Sequence, residues 1–293
     1  MNTSETPSYI LGNVAQGYEG EKTSSSTKRQ RPTLSPNMRR MVQISSLPLL
    51  LFLLLPVIAL LLRTTPDQWF AKLTQPHILQ AVGLSISTTL VATLITIVLG
   101  TPLAFALARD FLPYRRLIDT LIDLPIVLPP AVAGIALLMA FGRRGIMGSF
   151  LDDLGVQIAF TPVAVILAQT FIASAFYVKA ASIGFGNIDP ELEQAAGLDG
   201  ASGWQSFRYL ILPLSWTALL SGAVMTWARA LGEFGATIIF AGNFAGRTQT
   251  MPLAIYLGFE LDLDTALTLS VILIGFSFLS LLIVKWILNR DWM

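Results

Sequence analysis

Polar residues dominate the chain to about residue 43, after which long apolar stretches alternate with short polar ones. The apolar stretches centre on Ile44 to Leu62, Val82 to Ala108, Leu121 to Phe141, Ile158 to Val178, Leu210 to Phe240 and Ala266 to Leu288. Each is near or above the ~20 residues an α-helix needs to cross the hydrocarbon core of a bilayer. A helix satisfies its own backbone hydrogen bonds in lipid, so the pattern predicts an all-α, polytopic membrane protein with six transmembrane helices. Prolines fall inside several stretches, at Pro56, Pro102, Pro129, Pro130 and Pro162. Kinks at these positions are tolerable where neighbouring helices re-satisfy the freed carbonyls, which favours a packed bundle over isolated anchors.

Composition agrees with that reading. Of 293 residues 54% are apolar and only 13% charged, against roughly 25% charged in an ordinary soluble domain, and the mean hydropathy is +0.66. Residues 1–43 are rich in Ser, Thr, Gly and Pro and read as a disordered tail. The apolar run that follows starts too far along to be a cleaved signal peptide, so it reads as an uncleaved first span. Residues 44–293 then form the transmembrane domain.

A net charge of +1 offers no field for nucleic acid. The absence of Cys excludes disulfides and thiolate chemistry, and a single histidine, His77, cannot build a His-based metal site. The distribution of basic residues says more. If the tail lies inside, thirteen of the 19 Lys and Arg residues fall on the cytoplasmic side, among them Arg39, Arg40, Arg109, Arg115, Arg116, Lys179 and Arg208. The positive-inside rule therefore puts both termini in the cytoplasm. The opposite loops hold six acids against five bases, so loop charge would not gather an anion there and another component would have to deliver one.

The loop from Lys179 to Tyr209 carries two helix signatures. Asp189, Pro190 and Glu191 read as an N-cap, a first-turn proline and an acid that complements the helix dipole. That helix should run to about Leu198. Gly200 permits a sharp turn, and Ser202 with Gln205 forms a capping-box start for a second helix flowing into span five through Tyr209. On these helix signals alone such a pair is either a cytoplasmic docking surface, with Glu191, Glu193 and Asp199 available to bases on a partner, or simply an ordered loop.

The stretch ELEQAAGLDGASGWQSFRYLILPLS resembles the cytoplasmic EAA loop of ABC-type importer permeases, with Ala195, Ala196, Gly200, Leu212 and Pro213 at that family's spacing. It departs from the pattern at one position, where Gln194 takes the glutamate's place and Glu193 stands one residue earlier. The stretch ARALGEFGATIIFAGN, from Ala228 to Asn243, resembles the corresponding segment of molybdate permeases; sulfate permeases tend to carry Tyr where Phe234 stands. LPIVLPPAVAG around Pro129 and Pro130, and GRRGIMG from Gly142 to Gly148, are similar to the same family. The resemblance covers roughly Val82 to Arg290. It implies a type I ABC importer permease fold in a prokaryotic inner membrane and transport of molybdate or tungstate by alternating access. It also implies a homodimeric pore, two ATPase subunits docked on the loop around Glu193 to Gly200, and an external oxyanion-binding protein. No cofactor is expected in this chain, ATP and Mg belonging to the partner ATPase.

Span five has physical peculiarities of its own. From Leu210 to Phe240 it would measure about 46 Å as a continuous helix, well beyond a ~30 Å core. It must tilt, protrude or break, and Gly232 and Gly235 are the expected break. Arg229 and Glu233 are four residues apart and can pair. Two readings stand open for that pair: an internal salt bridge, or an external gate. Interrupted helices at membrane depth often line substrate paths, and Thr237 is a candidate lining hydroxyl. Pro129 and Pro130 serve either packing or gating. The hydroxyls of span two, from Ser85 to Thr96, read as helix-packing glue. Arg143 and Arg144 either pair with Asp152 and Asp153 or meet a docking protein.

Other classes have specific objections. There is no HExxH, no GxSxG and no Gly-Lys dipeptide, so neither an intramembrane hydrolase nor an ATPase is supported. An autonomous channel or secondary transporter would leave the two-helix loop without a role, and the spans are poor in acids for a proton relay. A sulfate or thiosulfate permease is the nearer alternative.

Overall fold

The computed structural model describes residues 36–64, 72 and 74–290. Among these there are helices and no strands. The chain divides into two compact units, Met1–Val57 and Ile58–Met293. Much of the predicted tail lies outside the described residues.

The described part of the first unit belongs to helix α1, Pro36–Arg63, which runs on into the second. It begins at Pro36 instead of Ile44, because Met38, Met41 and Val42 extend the apolar character toward the amino terminus. At 28 residues it is about 42 Å long. Pro48 and Pro56 stay within it without ending it.

The second unit opens with α2, Pro76–Ala108, 33 residues in length. Pro76 starts it at a position where no amide is needed, and Pro102 is accommodated inside it. Helices α3, Arg115–Val127, and α4, Pro130–Phe141, follow and meet at 115°. The expected kink in span three is thus a full break, since the Pro129–Pro130 pair removes two consecutive donors. The short α5, Gly148–Asp153, leads to α6, Pro162–Gly186. Pro162 does not kink this helix; it is the first-turn proline, so the span begins there and not at Ile158. Its carboxyl end overshoots the expected loop boundary at Lys179, because Ala181 and Phe185 remain buried.

After α7, Pro190–Leu198, the chain makes α8, Gly203–Ser206, a π-helical turn, Phe207–Ile211, and the single turn α9, Leu212–Leu214. It then bends by 68° into α10, Trp216–Leu231. That bend at Ser215 was not anticipated. Its cue is Pro213, which cannot donate to the carbonyl of Tyr209 and so interrupts the ladder. Helices α11, Gly235–Ala241, α12, Met251–Leu261, and α13, Leu263–Arg290, complete the chain. Among the described residues four helices are long and apolar enough to cross a membrane, and there are up to six spans if each bent pair counts as one.

Helix α6 is central and packs against α2, α10, α11, α3 and α4. Ala164, Ala168, Ala173, Ala175 and Ala181 are buried along it. Small side chains let backbones approach closely where lipid supplies no hydrophobic force between helices. One apolar cluster joins α4, α6 and α11 through Leu137, Ile172 and Phe240, and a second joins α2, α6 and the π-turn through Leu107, Phe185 and Ile211. A third joins α2, α12 and α13 through Ile78, Met251 and Leu269. The hydroxyls of Thr88, Thr89, Thr93 and Thr96 donate to carbonyls four residues back on α2, whereas Ser85 Oγ accepts the Met251 amide at 2.7 Å and so ties α2 to α12.

Candidate functional site

Two regions collect the residues singled out in the sequence. The first is the connector between α6 and α10. Asp189 accepts the Glu191 amide at 2.9 Å, which fixes the start of α7. Gly200 sits at φ +86°, left-handed backbone that glycine adopts without a Cβ penalty. The capping box is complete: the Ser202 amide donates to Gln205 Oε1 at 2.7 Å and the Gln205 amide to Ser202 Oγ at 3.3 Å. Beneath the loop, Phe105 lies edge-on to Phe185 and Phe207, and Trp204 stacks on Phe207 at 5.7 Å. Leu212 is half-buried in this cluster, while Pro213 is exposed.

Glu191, Gln194, Ala195, Asp199 and Gly200 are exposed, and Ala196 is half-buried. Glu193 does not join the outward-facing acids. It pairs with Arg109 at the carboxyl end of α2, because its position on α7 turns it toward the spans. Lys179 is likewise engaged, donating to Asp119 at 2.7 Å and Asp123 at 2.9 Å on α3. These long-range pairs were not legible from local spacing.

The second region is the break between α10 and α11. Gly232 to Phe234 leave the helix, in the interval bounded by the two glycines. Arg229 Nη1 lies 2.9 Å from Glu233 Oε2, and Glu233 Oε1 accepts the Ala236 amide at 2.9 Å. Glu233 is only 1% exposed, so one buried carboxylate neutralises the cation on the first helix fragment and satisfies a free donor on the second. Thr237 is fully buried and its hydroxyl has no hydrogen-bond partner among the described residues.

The two breaks meet. A Cβ placed on Gly235 would stand 2.6 Å from Pro130 Cβ, and one on Gly134 would stand 2.8 Å from the Ala236 carbonyl oxygen. Pro129 and Pro130 remain exposed beside this contact. On another side Gly232 and Phe234 border an apolar groove of about 520 Å³ walled by α12 and α13, where Phe234 approaches Tyr256. Arg143 and Asp152 line a separate cavity of about 220 Å³, and among the described residues neither Arg143 nor Arg144 forms an ion pair with Asp152 or Asp153. No described group of His, Asp and Glu is arranged to hold a metal ion.

Interrupted helices packed against each other inside a multi-span bundle often mark a substrate path. Residues 96–290 match the family described as "Binding-protein-dependent transport system inner membrane component". The chain belongs to this family. The permease is 38% identical over 238 residues to the molybdenum transport system permease protein ModB of Mycobacterium tuberculosis (strain ATCC 25618 / H37Rv), covering 81% of this chain and 90% of that one. It is 36% identical to the probable transport system permease protein NifC of Clostridium pasteurianum, covering 82% and 84%. It is 33% identical to the sulfate transport system permease protein CysT of Escherichia coli (strain K12), covering 82% and 88%. A solved bacterial ABC transporter that imports the acidic polysaccharide alginate shares the fold at TM-score 0.66 and 16% identity, covering 87% of this chain and 94% of that one. The chain is therefore a membrane-spanning ABC importer permease of the molybdate and sulfate family, with the type I fold.

Proposed function

We propose that this permease moves molybdate inward by alternating access as the transmembrane subunit of an ATP-driven importer, with tungstate as a second cargo. The observation that carries the cargo reading is the 38% identity to a relative named for molybdenum transport over 90% of that relative's length. The LGEFGAT segment, which forms the break between α10 and α11, supports it. In this reading two copies of the chain enclose the path, with the Pro129–Pro130 and Gly232–Gly235 breaks of each beside it. Glu233 already compensates Arg229, so this arginine is not a free fixed cation that would trap a dianion, and weak sites permit release. Backbone amides at the break other than that of Ala236 supply neutral donors, and Thr237, fully buried in this structure, joins them in a conformation that uncovers its hydroxyl.

The exposed side of the α7 loop, with Glu191, Gln194, Ala195, Asp199, Leu198 and Gly200, receives one ATPase subunit per permease. ATP and Mg are bound and hydrolysed there and not in this chain. A binding protein delivers the anion on the opposite face, and both termini face the cytoplasm. Closure of the ATPases moves the α7 loops and switches the path from inward-facing to outward-facing.

The test is uptake of labelled molybdate into cells expressing the permease with its ATPase and binding protein, challenged by excess tungstate and, separately, sulfate. Competition by tungstate alone is expected. Competition by sulfate would transfer the assignment to a sulfate permease, the reading favoured by the 33% identity to CysT.

A further inference from the structure

Helix α7 has no buried residue, so apolar packing does not hold it to the spans. Chain connections join it at each end, and among the described residues its one ion pair is that of Glu193 with Arg109. Arg109 is unusually well placed to act as an anchor. Its backbone amide donates to the Phe105 carbonyl, closing the carboxyl end of α2. Its guanidinium lies 5.7 Å from the centre of the Phe105 ring, and that ring is wedged between Phe185 at the end of α6 and Phe207 in the π-turn. Both partners of the pair are largely withdrawn from solvent, with side chains 15% and 27% exposed, so the attraction is screened less than at an open surface.

The rod to which α7 is thereby fixed reaches the other functional region. Toward its amino end α2 carries Ser85, whose hydroxyl accepts the Met251 amide at the first turn of α12. Helix α12 in turn walls the groove beside Gly232 and Phe234. We propose that Arg109 is a positioning residue that makes α7 and α2 move as one body, so that displacement of the docking loop reaches the helices around the α10–α11 break. This rests on the reading of α7 as the ATPase-docking element. Without Arg109, α7 would turn on its flanking linkers and its motion would be dissipated.

Two measurements separate this from a purely structural role and from the cargo assignment. The first is hydrogen exchange of the α7 amides in the purified full-length permease, with no ATPase or oxyanion present. In Arg109→Ala these amides should exchange about tenfold faster, the order expected for losing one charge-assisted bond from a locally opening element. Arg109→Lys should be intermediate, and Arg109→Glu combined with Glu193→Arg should restore slow exchange. Unchanged exchange in Arg109→Ala overturns the proposal. The second is oxyanion transported per ATP hydrolysed in proteoliposomes of the assembled complex. That ratio should fall about tenfold in Arg109→Ala and recover in the reversed pair, as a coupling element requires. A wild-type ratio in Arg109→Ala overturns the proposal even if exchange responds. If the wild-type complex carries sulfate and not molybdate, the cargo assignment falls, and the same ratio read with sulfate judges Arg109.

Discussion

Among the described residues two Arg–Glu pairs lie near the candidate functional regions, and they differ in what they join. Arg229 and Glu233 are four residues apart and lie across a break within one span. Arg109 and Glu193 are separated by 84 residues and tie a helix without buried residues to the end of a long one. The local pair has one nearly inaccessible partner, Glu233, that also accepts a backbone amide, so removing it deprives both the Ala236 amide and the Arg229 guanidinium, itself 32% exposed, of their acceptor. The distant pair is partly wet on both sides. Equal chemistry therefore sits in two settings: the local pair bridges a break within one span, and the distant one joins two helices far apart in sequence, the role proposed for it being to transmit position.

The sharpest test of that contrast is Glu233→Ala. It leaves the Ala236 amide and the Arg229 guanidinium without their acceptor; because the guanidinium is 32% exposed and can be solvated, the expected cost is up to about 3 kcal/mol. Thermal unfolding of the detergent-purified permease should fall well below wild type, and uptake should be lost. Glu233→Gln keeps an acceptor for Ala236 and should be milder. Unchanged unfolding and uptake in both variants would remove the pair from any account of the break.

Next in size is the contact that holds the two breaks together. Gly134 faces Ala236 and Ile239, where even a Cβ would come within 2.8 Å of heavy atoms on α11. Gly134→Val should force α4 and α11 apart at a cost of about 1–3 kcal/mol, the usual penalty of overpacking. A matching drop in unfolding temperature is expected, with Gly134→Ala between it and wild type. A valine variant as stable as wild type would mean the two helices yield freely.

These two sites differ in how far the sequence revealed them. The Arg229–Glu233 spacing, the Gly232–Gly235 interruption, the Asp189 cap and the Ser202–Gln205 box are local signals, each set by residues within a few positions of one another, and the structure forms all of them. The six spans were legible for the same reason, since crossing a bilayer is a property of a single segment. What sequence reading missed is non-local. Nothing near Gly134 points to Ala236, nothing near Glu193 points to Arg109, and the Lys179 link to Asp119 and Asp123 depends on how α3 lies along α6. Pro162 and Pro129–Pro130 show the intermediate case: their positions were evident, but whether a proline kinks, starts or breaks a helix depends on its place in the final element.

Gly200 provides a smaller effect of a different kind. A Cβ there would meet nothing within 4 Å, so space is not the constraint; the φ of +86° is. Gly200→Val should cost roughly 1–2 kcal/mol through backbone strain alone, whereas Gly200→Asn, which tolerates left-handed backbone, should cost less. The strain falls on the turn after α7, so the fall in oxyanion moved per ATP should exceed the change in global unfolding. Normal coupled transport in Gly200→Val would place the docking surface elsewhere. Gly134 tests a steric contact between spans, and Gly200 tests a conformational requirement outside them.

The smallest expected effect belongs to a third pair, on the turn between α12 and α13. Lys72 donates to Asp262 Oδ2, and Thr265 Oγ1 donates to the same oxygen at 2.7 Å. The Lys72 bond first, and the Thr265 bond second, bring the Asp262 carboxyl down from 3.8 to about 2. Its side chain is 43% exposed, so solvent screening limits the pair to under about 1 kcal/mol. Because the folded-state pKa is the lower one, the stabilisation is complete above the unfolded value near 4 and is lost as pH falls through about 2. At neutral pH, Asp262→Asn should therefore lower the unfolding temperature only slightly. The gap between wild type and variant should close between pH 4 and pH 2, and it should also narrow in high salt at neutral pH. A large, salt-insensitive loss would instead put this turn in the same class as Glu233, a buried junction whose removal the bundle does not absorb.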